Sequence, residues 1–193
     1  MLVNLQQLEI PTERLLLKVL DASFAPVVLD YFTRNAEFRR PWAPAVDDYF
    51  LTLESQRMRL EGDWASIGRG HMLKLWLFDR SDIQRSSTIG FVSLSNIIRG
   101  AFLSCHLGYE IDGSVSNRGL MTEALRALIK VTFETLQLHR IEANIIPRNA
   151  RSIRVVEKLG FSYEGLSPKY LKINGVWEDH GHYVVLNEAL ERE

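Results

Sequence analysis

The amino-acid sequence predicts an α/β fold, a mixed sheet flanked by helices. Three observations carry that expectation. Strand-like apolar runs joined by short polar turns fill the middle of the chain, up to residue 111. A strand–helix–strand–helix–strand succession follows. Near the end, Asn174-Gly175 sits between two apolar runs, the strongest short hairpin signal.

The elements follow in chain order. Thr12 to Leu20 reads as a first strand with one charged edge. Asp21 then caps a helix running through Val27, Val28, Tyr31 and Phe32. Residues 38–44 are irregular, because Pro41 and Pro44 each disfavour helix in the residue before them. A second helix spans roughly Tyr49 to Leu60. Met72 to Phe78 and Thr88 to Leu94 are strands parted by the polar stretch around residues 79–82, and a third strand runs Phe102 to Ile111. From Gly119 to Leu136 the apolar side chains Met121, Ala124, Leu125, Leu128 and Val131, with Thr132, recur at three-and-four spacing, the mark of a helix face. Ile141, Ala143 and Ile145 alternate as a strand that stops at Pro147. Asn149 opens a further helix that Gly160 ends as a left-handed cap. Tyr170–Ile173 and Val176–Leu186 form the final hairpin.

The chain has 193 residues, enough for one domain, 1–193, that hides roughly 70% of its unfolded surface. With 46% hydrophobic and 24% charged residues it is expected to be ordered. The formal net charge of -1 gives no electrostatic case for nucleic acid or an anionic membrane. No apolar run reaches the roughly 20 residues of a spanning helix. Charged and amide residues between Met1 and Lys18 argue against a secretory signal. The single cysteine, Cys105, has no internal disulfide partner, so a reducing cytoplasm is the expected home. It reads as a small buried hydrophobe. His71, His139, His180 and His182 show no convincing metal-ligand spacing, and no metal is expected.

The informative stretch runs from Leu107 to Leu125: strand, polar loop, helix. Such a junction gathers backbone N–H groups and the positive end of a helix dipole in one place, and so binds anions such as phosphate. Each charge favourably placed there gains roughly 0.3–1 kcal/mol. Arg118 adds a donor for a charge-assisted bond and Gly119 lets the backbone approach closely. The loop is neither a Walker loop nor a dinucleotide fingerprint. Taken alone, a plain strand–loop–helix junction that binds nothing reads the same.

The assembly as a whole resembles the GNAT acyl-CoA-dependent N-acetyltransferases, nearest to the RimJ/RimL ribosomal-protein-alanine N-acetyltransferases. The likeness rests on Thr12-Glu13-Arg14-Leu15, residues 38–44, Ser95-Asn96-Ile97-Ile98-Arg99-Gly100 and Cys105-His106-Leu107-Gly108-Tyr109. It continues through Gly119-Leu120-Met121, His139-Arg140-Ile141, Leu159-Gly160-Phe161, Glu164-Gly165 and Trp177-Glu178-Asp179-His180. Order and spacing together are specific where single pieces are not. The family's phosphate loop usually reads Gln/Arg-x-x-Gly-x-Gly/Ala with an extra glycine after the first position; here Ser116 stands for the Gln or Arg, Asn117 for that extra glycine, and Met121 fills the last place. Asn tolerates positive φ better than most residues.

The resemblance implies a mixed, mostly antiparallel sheet and acetyl-CoA as cosubstrate. It implies direct transfer of acetyl to an amine, on a monomer or homodimer. Leu107, Tyr109, Ile111, Ser116, Asn117, Arg118, Gly119, Leu120, Met121, Thr122, Asn149 and Ser152 would hold the cofactor. A backbone N–H of residues 107–112 would polarise the thioester. Glu164 would be the general base, with Glu110, Asp112 and His106 as rivals, and Ser152 the proton donor to the thiolate. Asn149 and Ser152 would look identical as ordinary first-turn helix residues. Trp42, Glu110, Tyr170 and Trp177 would line the amine pocket, although core packing is the commoner role of an aromatic. At pH 7 deprotonation costs roughly 1–1.4 kcal/mol for an α-amine and about 4.6 for lysine. A weak carboxylate base therefore suits a protein N-terminus, here the terminal alanine of a small-subunit ribosomal protein. A small-molecule amine as acceptor, or a non-catalytic acyl-CoA-binding protein, are the competing expectations.

Overall fold

A computed structural model describes residues 4–192. Met1–Val3, the start of the stretch expected to lack a signal, and Glu193, the last residue of the expected domain, lie outside the described residues. Eight strands form one sheet: β1 (Glu9–Pro11), β2 (Leu15–Lys18), β3 (Leu73–Asp79), β4 (Thr88–Ile98), β5 (Ser104–Ile111), β6 (Arg140–Ile145), β7 (Ser162–Ile173) and β8 (Val176–Leu186). Their spatial order is β1-β2-β3-β4-β5-β6-β8-β7. Neighbours are antiparallel except β5 and β6. The helices are α1 (Ala25–Arg34), α2 (Ala36–Arg39), α3 (Leu53–Gly68), α4 (Leu120–Glu134) and α5 (Ala150–Glu157). The mixed, mostly antiparallel sheet flanked by helices is thus present.

Strand alternation sends side chains to two cores. Leu73, Leu75 and Leu77 of β3 pack with Met121, Ala124, Leu125 and Leu128 of α4 and Val156 of α5. Trp76 and Phe78, from the opposite face, pack with Val28, Tyr31 and Phe32 of α1, with Phe50, and with Leu60 of α3. The three-and-four spacing read on α4 is the stripe that is buried, save Val131, which is half-buried. Replacing one such buried Leu by Ala typically costs about 2–5 kcal/mol.

The final hairpin turns where expected, with Asn174 and Gly175 both at positive φ (43° and 86°). Gly160 is also left-handed, at φ 84°, three residues beyond the end of α5. Other boundaries differ for local reasons. The first strand is short because Thr12 and Arg14 turn aside to bind Glu123. Asp21 caps a 3-10 turn, Ala22–Phe24, ahead of α1. The segment expected to be irregular begins with the single turn of α2. The second helix splits into a 3-10 turn, Asp48–Leu51, and the longer α3. β4 runs on to Ile98 across a register shift. β7 begins eight residues before the expected Tyr170. Gly165, Pro168 and a left-handed Lys169 hide its first half, and the register shifts on either side of that half.

The site is created by one interruption. β5 and β6 pair only at Ser104↔Arg140, Cys105↔Ile141 and His106↔Glu142. Beyond these the strands part, while β5 stays paired to β4 as far as Ile111 and β6 to β8 as far as Ile145. Parallel strands joined by a long helical crossover have no hairpin to hold them together. The outcome is a sheet open at its middle.

Candidate active site

The parted strands form the walls of a cleft of about 650 Å³. Leu107–Ile111 stand on one side and Ala143–Ile146 on the other. Beyond His106, the edge of β5 facing β6 has no partner strand among the described residues, which leaves its peptide groups to bind an extended ligand.

At one end lies the loop before α4. Asp112 fixes it. Its carboxylate accepts from Ser114 N (2.8 Å) and Ser114 Oγ (2.6 Å), and from Arg34 Nε (2.8 Å) and Asn35 Nδ2 (3.1 Å). Burial would raise this carboxyl, but the bonds from Ser114, Asn35 and Arg34 prevail and hold it down at about 2. Asn117 and Gly119 are both left-handed, at φ 62° and 77°. Gly119 caps α4 without a side chain, so the first-turn N–H groups face outward unclaimed by any cap. Glu123 accepts from Thr12 Oγ1 (2.7 Å) and from Arg14 N and Nε (2.8 and 2.7 Å), while Arg14 Nη1 donates to Arg118 O (3.0 Å). The helix start is thereby clamped to the turn before β2. Burial opposes, but these bonds outweigh it and lower the Glu123 carboxyl.

α5 forms the adjoining wall. Asn149 caps it, accepting from Ser152 N (3.2 Å). Ser152 Oγ donates to the Tyr109 hydroxyl (2.7 Å), which donates in turn to Ser152 O (3.1 Å). Burial pushes the Tyr109 phenol well above its ordinary range, only partly offset by Ser152, so it stays protonated. Arg151, Arg154 and Lys158 also line the cleft. Their spacing of three and then four residues puts three cations on one helix face, a signal present in the sequence and not used.

The other end of the cleft is bounded by Phe38, Arg39, Trp42, Glu110, Asn144 and His180. Arg39 donates to Glu110 (Nη2–Oε1 3.0 Å) and stacks on Phe32, 4.5 Å from its ring centre. Trp42 lies under the Arg148 guanidinium (4.8 Å), which also donates to Pro41 O (3.0 Å) and pairs with Glu178.

Every residue expected to hold the cofactor lines this cleft, as do Trp42 and Glu110. Glu164, Tyr170 and Trp177 are not in its wall. Glu164 is the extra residue of the irregularity between Tyr163 and Gly165, and its exposed carboxylate accepts from Arg140 (2.9 Å). Arg140 foremost holds it below the usual range. Tyr170 sits one layer back, against His180 and His182. Trp177 is exposed on β8 opposite Lys172. Of the rival bases, Asp112 belongs to the loop brace and His106 lies outside the cleft wall. Among the described residues no group of three His, Cys, Asp or Glu is arranged to hold a metal ion, and no helix is long and apolar enough to cross a membrane.

Comparisons with known proteins agree with this geometry. The family described as "Acetyltransferase (GNAT) domain" matches residues 14–162. The probable N-acetyltransferase YjcK of Bacillus subtilis is 40% identical over 155 residues, 80% of this chain and 84% of that protein. The ribosomal-protein-S5-alanine acetyltransferase from Vibrio fischeri superposes with a TM-score of 0.89 at 34% identity, over 94% of this chain and 98% of that one. RimJ of Mycobacterium smegmatis, solved in complex with CoA-disulfide, superposes with a TM-score of 0.84 at 27% identity, over 91% and 83%. The chain belongs to the GNAT acetyltransferase family and is an acetyl-CoA-dependent acyltransferase of the RimJ/RimL kind.

Proposed function

We propose that the chain acetylates the N-terminal α-amino group of a protein, the terminal alanine of a small-subunit ribosomal protein, in the cytoplasm. The observation that carries this reading is the cleft itself. It connects an uncapped helix start, suited to a diphosphate, with a half-apolar mouth around Trp42, Phe38 and His180 on the far side of the sheet. The likeness to an S5-alanine acetyltransferase along nearly the whole of both chains supports the acceptor.

The diphosphate of acetyl-CoA meets the N–H groups of residues 118–122 and the cations Arg118, Arg151, Arg154 and Lys158. The pantetheine arm lies along the free edge of β5, where a backbone N–H polarises the thioester. Ser152 returns a proton to the departing thiolate, its hydroxyl held in the cleft wall by the 2.7 Å bond it donates to Tyr109. Incubation with acetyl-CoA and peptides that begin with alanine should release free CoA, with acetyl located on the α-nitrogen by mass spectrometry. Acetyl found only on lysine side chains would overturn the acceptor.

A further inference from the structure

Amine acetylation needs a group that takes a proton from the incoming ammonium, and the two glutamates that the resemblance offers for that task are both occupied. Glu110 is clasped by Arg39 and Glu164 by Arg140. A different trio, Glu142, Ser167 and His182, stands behind the cleft wall, next to Asn144 and His180 that line it. His182 Nδ1 lies 3.2 Å from Glu142 Oε1, and His182 Nε2 lies 2.7 Å from Ser167 Oγ. An ionised carboxylate only accepts, so Nδ1 carries the ring hydrogen and Nε2 is left to accept from Ser167. Carboxylate, imidazole and hydroxyl thus form a hydrogen-bonded chain, the arrangement by which an imidazole draws a proton from a hydroxyl.

Strand register ties the trio to the cleft. Asn144 pairs with His182 and His180 with Ser167, and both Asn144 and His180 line the cleft wall. Directly paired residues share a face of the sheet. The Tyr170 ring touches both histidines, 5.4 Å from the His180 ring and 5.1 Å from the His182 ring, and its hydroxyl accepts from Asn144 (3.4 Å).

We propose that His182, oriented by Glu142 and reached through Ser167, is the base that deprotonates the acceptor amine; this rests on the acetyl transfer to an α-amine stated above. The ammonium N–H bond breaks and Ser167 Oγ gains that hydrogen as its own passes to His182 Nε2. The imidazolium formed is held by Glu142 and releases its proton to solvent. The nitrogen's second proton departs as the amide forms, and one proton ends on the CoA sulfur through Ser152. The sum is one ammonium and one acetyl-CoA giving one amide, one CoA thiol and one released proton. Imidazole suits the task, because it alone among side chains ordinarily changes charge between pH 5 and 8. The groups facing His182 are Glu142 and Arg140 from β6, Ser167, Tyr170 and Glu164 from β7, His180 from β8, and His106 from β5, which lies 3.8 Å from the same Glu142 carboxylate.

The test is kcat/KM against pH, from 5.5 to 9, with an alanine-starting peptide, beside the titration of the His182 ring followed by NMR. In the wild-type chain the acid limb and the ring titration should share one midpoint. His182→Gln should lower kcat/KM about 100-fold near neutrality and abolish that limb, with acetyl-CoA affinity and Tm unchanged. Glu142→Gln removes the charge that favours the imidazolium, so limb and ring titration should both move to lower pH. Ser167→Ala should lower kcat and leave the KM for acetyl-CoA alone. An active enzyme whose limb and ring midpoints differ, or whose His182→Gln variant stays within threefold of the parent, overturns the base alone. Should His182→Gln not fold, the paired shift in Glu142→Gln decides, and an unmoved limb overturns the proposal. A wild-type chain that turns over only small free amines and no peptide overturns the acceptor reading and the base with it.

Discussion

Asp112 shows how one side chain shapes the loop before α4. Four hydrogen bonds from Ser114, Asn35 and Arg34 converge on it, and its carboxyl is held at about 2, against 3.8 ordinarily. A depressed carboxyl contributes stability that is complete above the unfolded value and is lost as pH falls from about 4 to about 2. The contribution is on the order of 2 kcal/mol at neutral pH. Asp112→Asn should therefore lose about that much in urea unfolding at pH 7 and show a flatter stability profile below pH 4. Unchanged stability would mean the brace is idle. Ser152 and Tyr109 are the second residue-scale case. Ser152→Ala and Tyr109→Phe should each lower kcat, while the double variant loses less than the two effects multiplied, because the two hydroxyls hold one another in place. Fully multiplicative losses would separate them. Glu164 marks where residue-scale reading of the sequence stopped. As the extra residue of a strand irregularity, its direction does not follow from alternation, and its Arg140 partner lies 24 positions away.

At the scale of elements, the loop before α4 was legible in the sequence. A polar strand-to-helix junction containing glycine implies exposed amides, and Asn117 and Gly119 adopt the left-handed backbone that the loop needs. Alanine at position 119 would be forced into φ near 77°, costing roughly 1–2 kcal/mol if the loop kept its shape. Gly119→Ala should hence raise the KM for acetyl-CoA more than it lowers kcat; an unaffected KM would remove the loop from the site. The cation face of α5 is a separate element. Arg151, Arg154 and Lys158 changed together to Ala should weaken acetyl-CoA binding at low salt and lose most of that difference at high salt. A calorimetric affinity equal to the parent's at low salt would contradict the role. The first half of β7 was not legible, since a glycine, a proline and a left-handed lysine interrupt the pattern that marks a strand.

For the molecule as a whole, the decisive feature is a parallel pair that holds for three residues and then opens. Periodicity foretells that β5 and β6 exist, and the helical crossover between them foretells that they run parallel. Nothing in either strand states where pairing ends, because that point depends on how α4 and α5 pack beneath them. The side chains that the cleft gathers come from α2, β4, β5, the loop before α4 and the first turn of α4, β6, α5 and β8, so their meeting is a property of the whole sheet. The same holds for Glu142, His182 and Ser167, three residues from three strands that look unrelated along the chain. A crystal structure of the chain with CoA bound tests the central claim most directly. The diphosphate oxygens should lie about 3 Å from main-chain nitrogens of residues 118–122, with the thiol between the parted strands beside Ser152 and Tyr109. A diphosphate seated anywhere else, with the gap between β5 and β6 empty, would contradict it.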